Sequence, residues 1–348
     1  VIKFIYPFFI LLAIFSTPIR SDGRFALTSD LIRSYQEILK LRAGTAYHQL
    51  EEAHSKDPQN SLFLLVDNYK DILRILTEEN KILYNELRSK ENDRINAIRN
   101  DKENSPWRKL AEAEIRFQWA LAKIKFGDEL SAAWGFRQVY DLLKELQKSH
   151  PDFIHQKKLL GLYQIFIGSV PDKYDWIKNT LGFKGKVSTG INFLRQVERS
   201  ESLFALEAHM LRVAAEKYIL KDVKPLSPEL EKHYRYRKDN LLYAFLVSSV
   251  QLKEGNSDKA FDVLDQFDYS AGYLRFPLAY LIKGEILLYR ENYWQAREYF
   301  EKFLKNTKGQ DHLKDACYKI FLTYWLSGDE TTAAAWLAKV KETGQAVY

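Results

Sequence analysis

The sequence predicts an all-α protein, a superhelical stack of antiparallel helix hairpins with an irregular middle segment. Apolar residues recur at three and four positions almost everywhere from Leu31 to Val340, and no stretch alternates like a strand or carries an Asn-Gly hairpin turn. Small residues recur in pairs twelve positions apart, each pair followed one turn later by a bulkier residue: Ala120, Ala132 and Phe136; Ser248, Ala260 and Leu264; Gly284, Ala296 and Phe300. Two antiparallel helices approach closely only where one of them offers a small side chain, and the bulky neighbour fills the space beside that contact. A turn stands five residues before the second small residue: Gly127-Asp128, Gly255-Asn256, and Gly328-Asp329 before Ala333, with Glu291 holding the same place before Ala296. Together these spacings set the register of an array.

Taken in order, the chain opens with a single charge at Lys3, an apolar run from Phe4 to Phe15, and then polar residues. This is the layout of a secretory signal peptide, expected over 1–21, and the run is shorter than the roughly 20 residues a spanning helix needs. An exported protein, periplasmic or secreted, is therefore expected, with membrane association only through an uncleaved N-terminus. Residues 22–104 read as an N-terminal helical region. It holds one degenerate repeat, in which Ala46 and Leu50 precede the helix-ending run Asp57 to Asn60, and then a long amphipathic helix from Ser61 towards Asn100. The polar second half of that helix reads as a projecting helix or a linker. Residues 105–220 begin with Ser105 as N-cap and Pro106 as first helical residue, run through the hairpin at Gly127, and continue into the irregular segment. Residues 221–348 carry the remaining repeats.

On these triplets and turns the chain resembles the tetratricopeptide repeat (TPR) superfamily, most strongly over about 105–150 and 240–344. It departs from the pattern at Lys283, where the family prefers Leu, and at Glu291, where the family has the turn Gly. The middle run from Gly161 to Val197 is similar to a segment of the inclusion-body-clearance branch of TPR proteins: Gly182, Phe183, Gly185, Gly190 and Ile191 match, while Lys186 and Val187 replace an acidic-Arg pair. The resemblance implies a stack of hairpins whose first helices line a concave groove. In this register the lining comprises Phe117, Leu121 and Lys125 in one unit, Phe245, Ser249 and Lys253 in a second, and Leu281, Glu285 and Tyr289 in a third. The Lys and Asn with which chaperone-docking members of the family clamp a C-terminal carboxylate are missing, so the groove is expected to be apolar with a basic edge.

Composition and motifs point away from chemistry. The formal charge of +6 falls to +4 without Lys3 and Arg20, and basic residues are interleaved with acidic ones, as on solvated helix faces. No nucleic-acid-binding signature is present, and nucleic acid is not an expected partner. Cys317 is the one cysteine, so no disulfide forms within the chain, and its apolar surroundings read as core. His48, Glu51, Glu52 and His54 cluster without matching a metal motif. The run Lys184 to Thr189 resembles a phosphate loop, but Thr180 stands where the first Gly is required and Val187 interrupts the motif. No carboxylate stands out as isolated on an apolar helix face, and no nucleophile elbow occurs. The expectation is a non-catalytic scaffold, with no cofactor or metal, that binds a protein or peptide in its groove. The alternative is an enzyme or small-ligand protein with a site near the turn Gly182 to Gly190.

Overall fold

A computed structural model describes residues 24–170, 185–222, 224–267 and 272–343. The expected signal peptide, 1–21, and the part of the middle turn up to Lys184 lie outside the described residues. Everything regular among the described residues is helical: α1 (Ser29–Leu39), α2 (Ala43–Lys56), α3 (Phe63–Glu78), α4 (Lys81–Leu87), α5 (Lys90–Asn100), α6 (Pro106–Lys125), α7 (Glu129–Ser149), α8 (Gln156–Ser169), α9 (Val187–Glu198), α10 (Ala205–Ala214, continuing as a π-turn to Ile219), α11 (Ser227–Tyr234), α12 (Leu241–Lys253), α13 (Ser257–Asp265), α14 (Pro277–Tyr289), α15 (Tyr293–Asn306), α16 (Leu313–Leu326) and α17 (Glu330–Glu342). Consecutive helices pack in pairs: α1 with α2, α6 with α7, α8 with α9, α12 with α13, α14 with α15, α16 with α17.

Local chemistry accounts for the boundaries. The Ser105 hydroxyl accepts from the Trp107 amide at 3.3 Å, with Pro106 in the first turn, as the N-cap pattern requires. Gly284 meets its hairpin partner so closely that a Cβ there would fall 2.5 Å from the Phe300 ring, which is why the small-bulky triplet recurs. The long helix expected from Ser61 is broken into three pieces. Glu79 ends α3 in the left-handed region, and the Asn80 side chain caps the amides of Ile82 and Leu83, each at 3.1 Å. The polar stretch read as projecting is α5, which packs against α6 and buries Ile95, Ile98 and Arg94.

Three apolar cores result. The largest runs from Phe25 to Ala215 and gathers α1 to α10. A second is built on α11 to α14 and takes in Leu41 from the turn between α1 and α2. The third joins α14, α15 and α16. The N-terminal hairpin therefore touches the C-terminal hairpins directly. The Leu241 amide donates to the Lys40 carbonyl at 3.3 Å and the Leu274 amide to the Leu41 carbonyl at 2.7 Å. On another side, Lys125 at the end of α6 pairs with Glu79 at 2.9 Å and with Asp311 in the turn between α15 and α16. Burial would lower the Lys125 ammonium, but these carboxylates hold its pKa above the ordinary lysine value. No helix among the described residues is long and apolar enough to cross a membrane.

Candidate functional site

The nine residues expected to line a groove separate into two groups. Phe117 does not face an open surface. Its ring packs edge-on against Phe136 of α7 and Phe166 of α8, 5.5 and 6.4 Å away, so the middle segment covers that face. Leu121 packs against the same core, Lys125 is held in the ion pairs above, and Leu281 is buried in the third core. The other five come together. Phe245, Ser249 and Lys253 on α12 and Glu285 and Tyr289 on α14 line one concave pocket of about 600 Å³, completed by Ala214, Tyr218, Leu246, Leu252 and Ile282.

The register explains this convergence. Phe245, Ser249 and Lys253 lie at intervals of four on α12, as do Leu281, Glu285 and Tyr289 on α14, so each set projects from one stripe. The neighbouring first helices α12 and α14 stand side by side, and their stripes form the pocket floor, with the π-turn after α10 as its wall. Its chemistry is mostly apolar. Ser249 spends its hydroxyl on the Phe245 carbonyl at 2.7 Å. Lys319 neutralises Glu285. Lys253 lies over the Tyr218 ring, 4.7 Å from its centroid, and makes no ion pair among the described residues. Burial pushes the Tyr218 phenol up to about 12, so the ring facing this ammonium stays neutral.

A second polar centre lies deep in the largest core. The Lys158 ammonium of α8, 1% exposed, donates to Glu114 Oε2 and to the Tyr69 hydroxyl, each at 2.7 Å, and to Glu207 at 3.5 Å. Tyr35 donates to Glu207 at 2.6 Å and Tyr69 to the same oxygen at 3.0 Å. Glu114 is wholly buried, and its second oxygen has no hydrogen-bond partner among the described residues. Burial raises its carboxyl above the usual range, against the pull of Lys158. The same burial, reinforced by Glu207 and Glu114, lifts both tyrosines far above the ordinary phenol value. Sequence reasoning passed over Glu114. The available signal was the middle of α6, where Leu110, Ala111, Ala113, Ile115, Phe117, Trp119 and Ala120 point all round the helix, so that a charge set among them is buried.

Among the described residues, Glu198, His209 and Glu229 place ligand atoms within 4.8 Å of one another, as a metal would need. Arg212 already occupies that position: Nη2 donates to Glu198 Oε1 at 3.1 Å and to Glu229, and stands 3.3 Å from His209 Nδ1. Burial would raise the Glu198 carboxyl, but hydrogen bonds from His209 and Arg212 hold it down at about 2, so the guanidinium is its settled counter-ion. The described end of the middle turn is packed interface. A Cβ on Gly190 would fall 2.5 Å from the Gly161 carbonyl, and one on Gly185 would fall 2.6 Å from the Gly168 amide. Gly182 lies outside the described residues.

Compared with known proteins, the chain matches no family model and no curated protein.

Proposed function

We propose that this is an exported, TPR-like scaffold, a superhelical solenoid without catalytic activity, that binds a segment of another protein in the pocket between α12, α14 and the π-turn. The observation that supports the reading is the meeting of Phe245, Ser249, Lys253, Glu285 and Tyr289 in one pocket, five of the nine side chains that the resemblance to TPR arrays puts on the groove. Tyr289 is 70% exposed at the rim, and aromatic anchors dominate protein recognition. The pocket's polar groups are few and mostly satisfied internally, which suits burial of apolar side chains rather than turnover of a polar substrate.

The test is selection of a phage-displayed random peptide library on the immobilised full chain, with binding of the enriched peptides measured by fluorescence anisotropy. Tyr289→Asp, at an exposed position, should weaken them at least tenfold while helical circular dichroism is unchanged. Peptides that bind wild type and Tyr289→Asp equally would place recognition elsewhere.

A further inference from the structure

We infer that the segment taken by this pocket carries an internal Asp or Glu beside bulky apolar residues, with the acid seated on Lys253 and the apolar side chains running from the pocket onto α16. The inference rests on the reading of the pocket as a protein-binding groove and names the chemistry of what fills it.

The charge argument comes first. Two charged side chains line the pocket, Lys253 and Glu285. Glu285 is answered by Lys319, which also takes Asp315 at 2.5 Å. Among the described residues, Lys253 makes no ion pair and its ammonium lies over the Tyr218 ring. Lys253 is exposed, so its ammonium keeps water on the side away from the ring, and an arriving carboxylate gains a charge-assisted hydrogen bond by displacing that water rather than another anion. A cationic segment would gain nothing comparable and would meet Lys253 as a like charge.

The direction follows from the repeat register. Ser248 and Gly284 stand twelve residues before Ala260 and Ala296, and Phe321 stands twelve before Ala333. The positions on α16 equivalent to Phe245, Ser249 and Lys253 are therefore Tyr318, Leu322 and Leu326. Tyr318 and Leu326 are exposed, and α16 packs beside α14. The third position of the stripe thus passes from Lys253 through Tyr289 to Leu326, cation to aromatic to aliphatic. An occupant matched to it is acidic at its α12 end and apolar at its α16 end.

The same library tests this. Peptides enriched on wild type should share one or more bulky apolar residues within a few positions of an Asp or Glu, and amidation of the peptide C-terminus should leave their binding unchanged. Lys253→Glu should weaken them at least tenfold, and selection on Lys253→Glu should return peptides with Lys or Arg in place of the acid. Leu326→Ser, at an exposed position, should weaken them severalfold. Enrichment of peptides with no acidic preference, or equal binding to Lys253→Glu, overturns the inference and leaves the groove reading standing. Failure to enrich any peptide overturns both.

Discussion

At the scale of single residues, Lys158 is a buried cation whose placement has a direct energetic consequence. Two carboxylates, Glu114 and Glu207, reach its ammonium inside an apolar core, and Tyr69 and Phe204 present their ring faces to it. Removing the cation leaves two acids without a counter-ion, so Lys158→Met should cost about 3–5 kcal/mol in urea denaturation. Lys158→Met combined with Glu114→Gln should recover a large part of that loss, because a neutral amide replaces the buried charge. A Lys158→Met protein as stable as wild type would show that the ammonium is not the partner of these carboxylates. Sequence could not single out Lys158 because it stands beside Lys157, and a helix buries one of two adjacent charges according to its rotation. Lys157 instead reaches Gln196 at an exposed position.

Among the elements, the hairpin turns show how far spacing reaches. Gly127, Gly255 and Gly328 adopt positive φ five residues before an Ala, as expected of turn glycines, and Glu291 adopts φ 60° in the same place. So does Leu41, at φ 62°, five residues before Ala46, with the buried Ser34 twelve before that Ala. The α1–α2 hairpin thus repeats the spacing of the others. It was only half legible, because a Leu at the turn position looks like a helix residue. The strain of a left-handed Leu, roughly 1–2 kcal/mol, is offset by the full burial of its side chain in the second core.

The start of α8 makes an element-level prediction. His155 sits among Trp107, Phe153 and Phe204, with Nδ1 2.8 Å from the Ser202 hydroxyl, and joins α8 to α6 and α10. Burial lowers it to about 4 from the ordinary 6.5. In that window the unfolded chain binds the proton and the folded chain does not, so stability falls as pH drops from 6.5 to 4 and no further below it. The loss is on the order of 1–2 kcal/mol, discounted because the ring is partly open to solvent. His155→Asn should remove this component, whatever its baseline stability, when urea midpoints are compared across that range. An unchanged pH slope would mean that the ring titrates normally in the folded protein.

For the whole molecule, the decisive feature is that the N-terminal hairpin and the C-terminal hairpins are in contact, which no periodicity announces. Repeat spacing is a nearest-neighbour signal: it located the turns at Gly127, Gly255, Glu291 and Gly328 and did not mark the α8–α9 pair. Contacts between distant parts of the chain, 49 positions from Phe117 to Phe166 and 233 from Leu41 to Leu274, leave no period, so spacing could settle neither the covering of Phe117 by α8 nor the seating of Leu41 in the second core. The consequence for cooperativity is specific. Each hairpin of an array held only by neighbours opens nearly independently, whereas a chain tied across its length opens together. Leu41 supplies that tie, with its side chain fully buried and its carbonyl taken by the Leu274 amide, and Arg42 and Lys40 reach Asp239 beside it. Leu41→Ala should cost about 2–5 kcal/mol, as for other fully buried leucines. The loss should also be uneven. In native-state hydrogen exchange, amides of α12 to α14 should lose more protection than those of α6 and α7, because the former keep only their neighbour contacts while the latter keep the intact largest core. An even loss of protection along the chain would mean that the molecule opens as one unit without help from this contact, and that Leu41 is an ordinary core residue rather than the point where the two ends are joined.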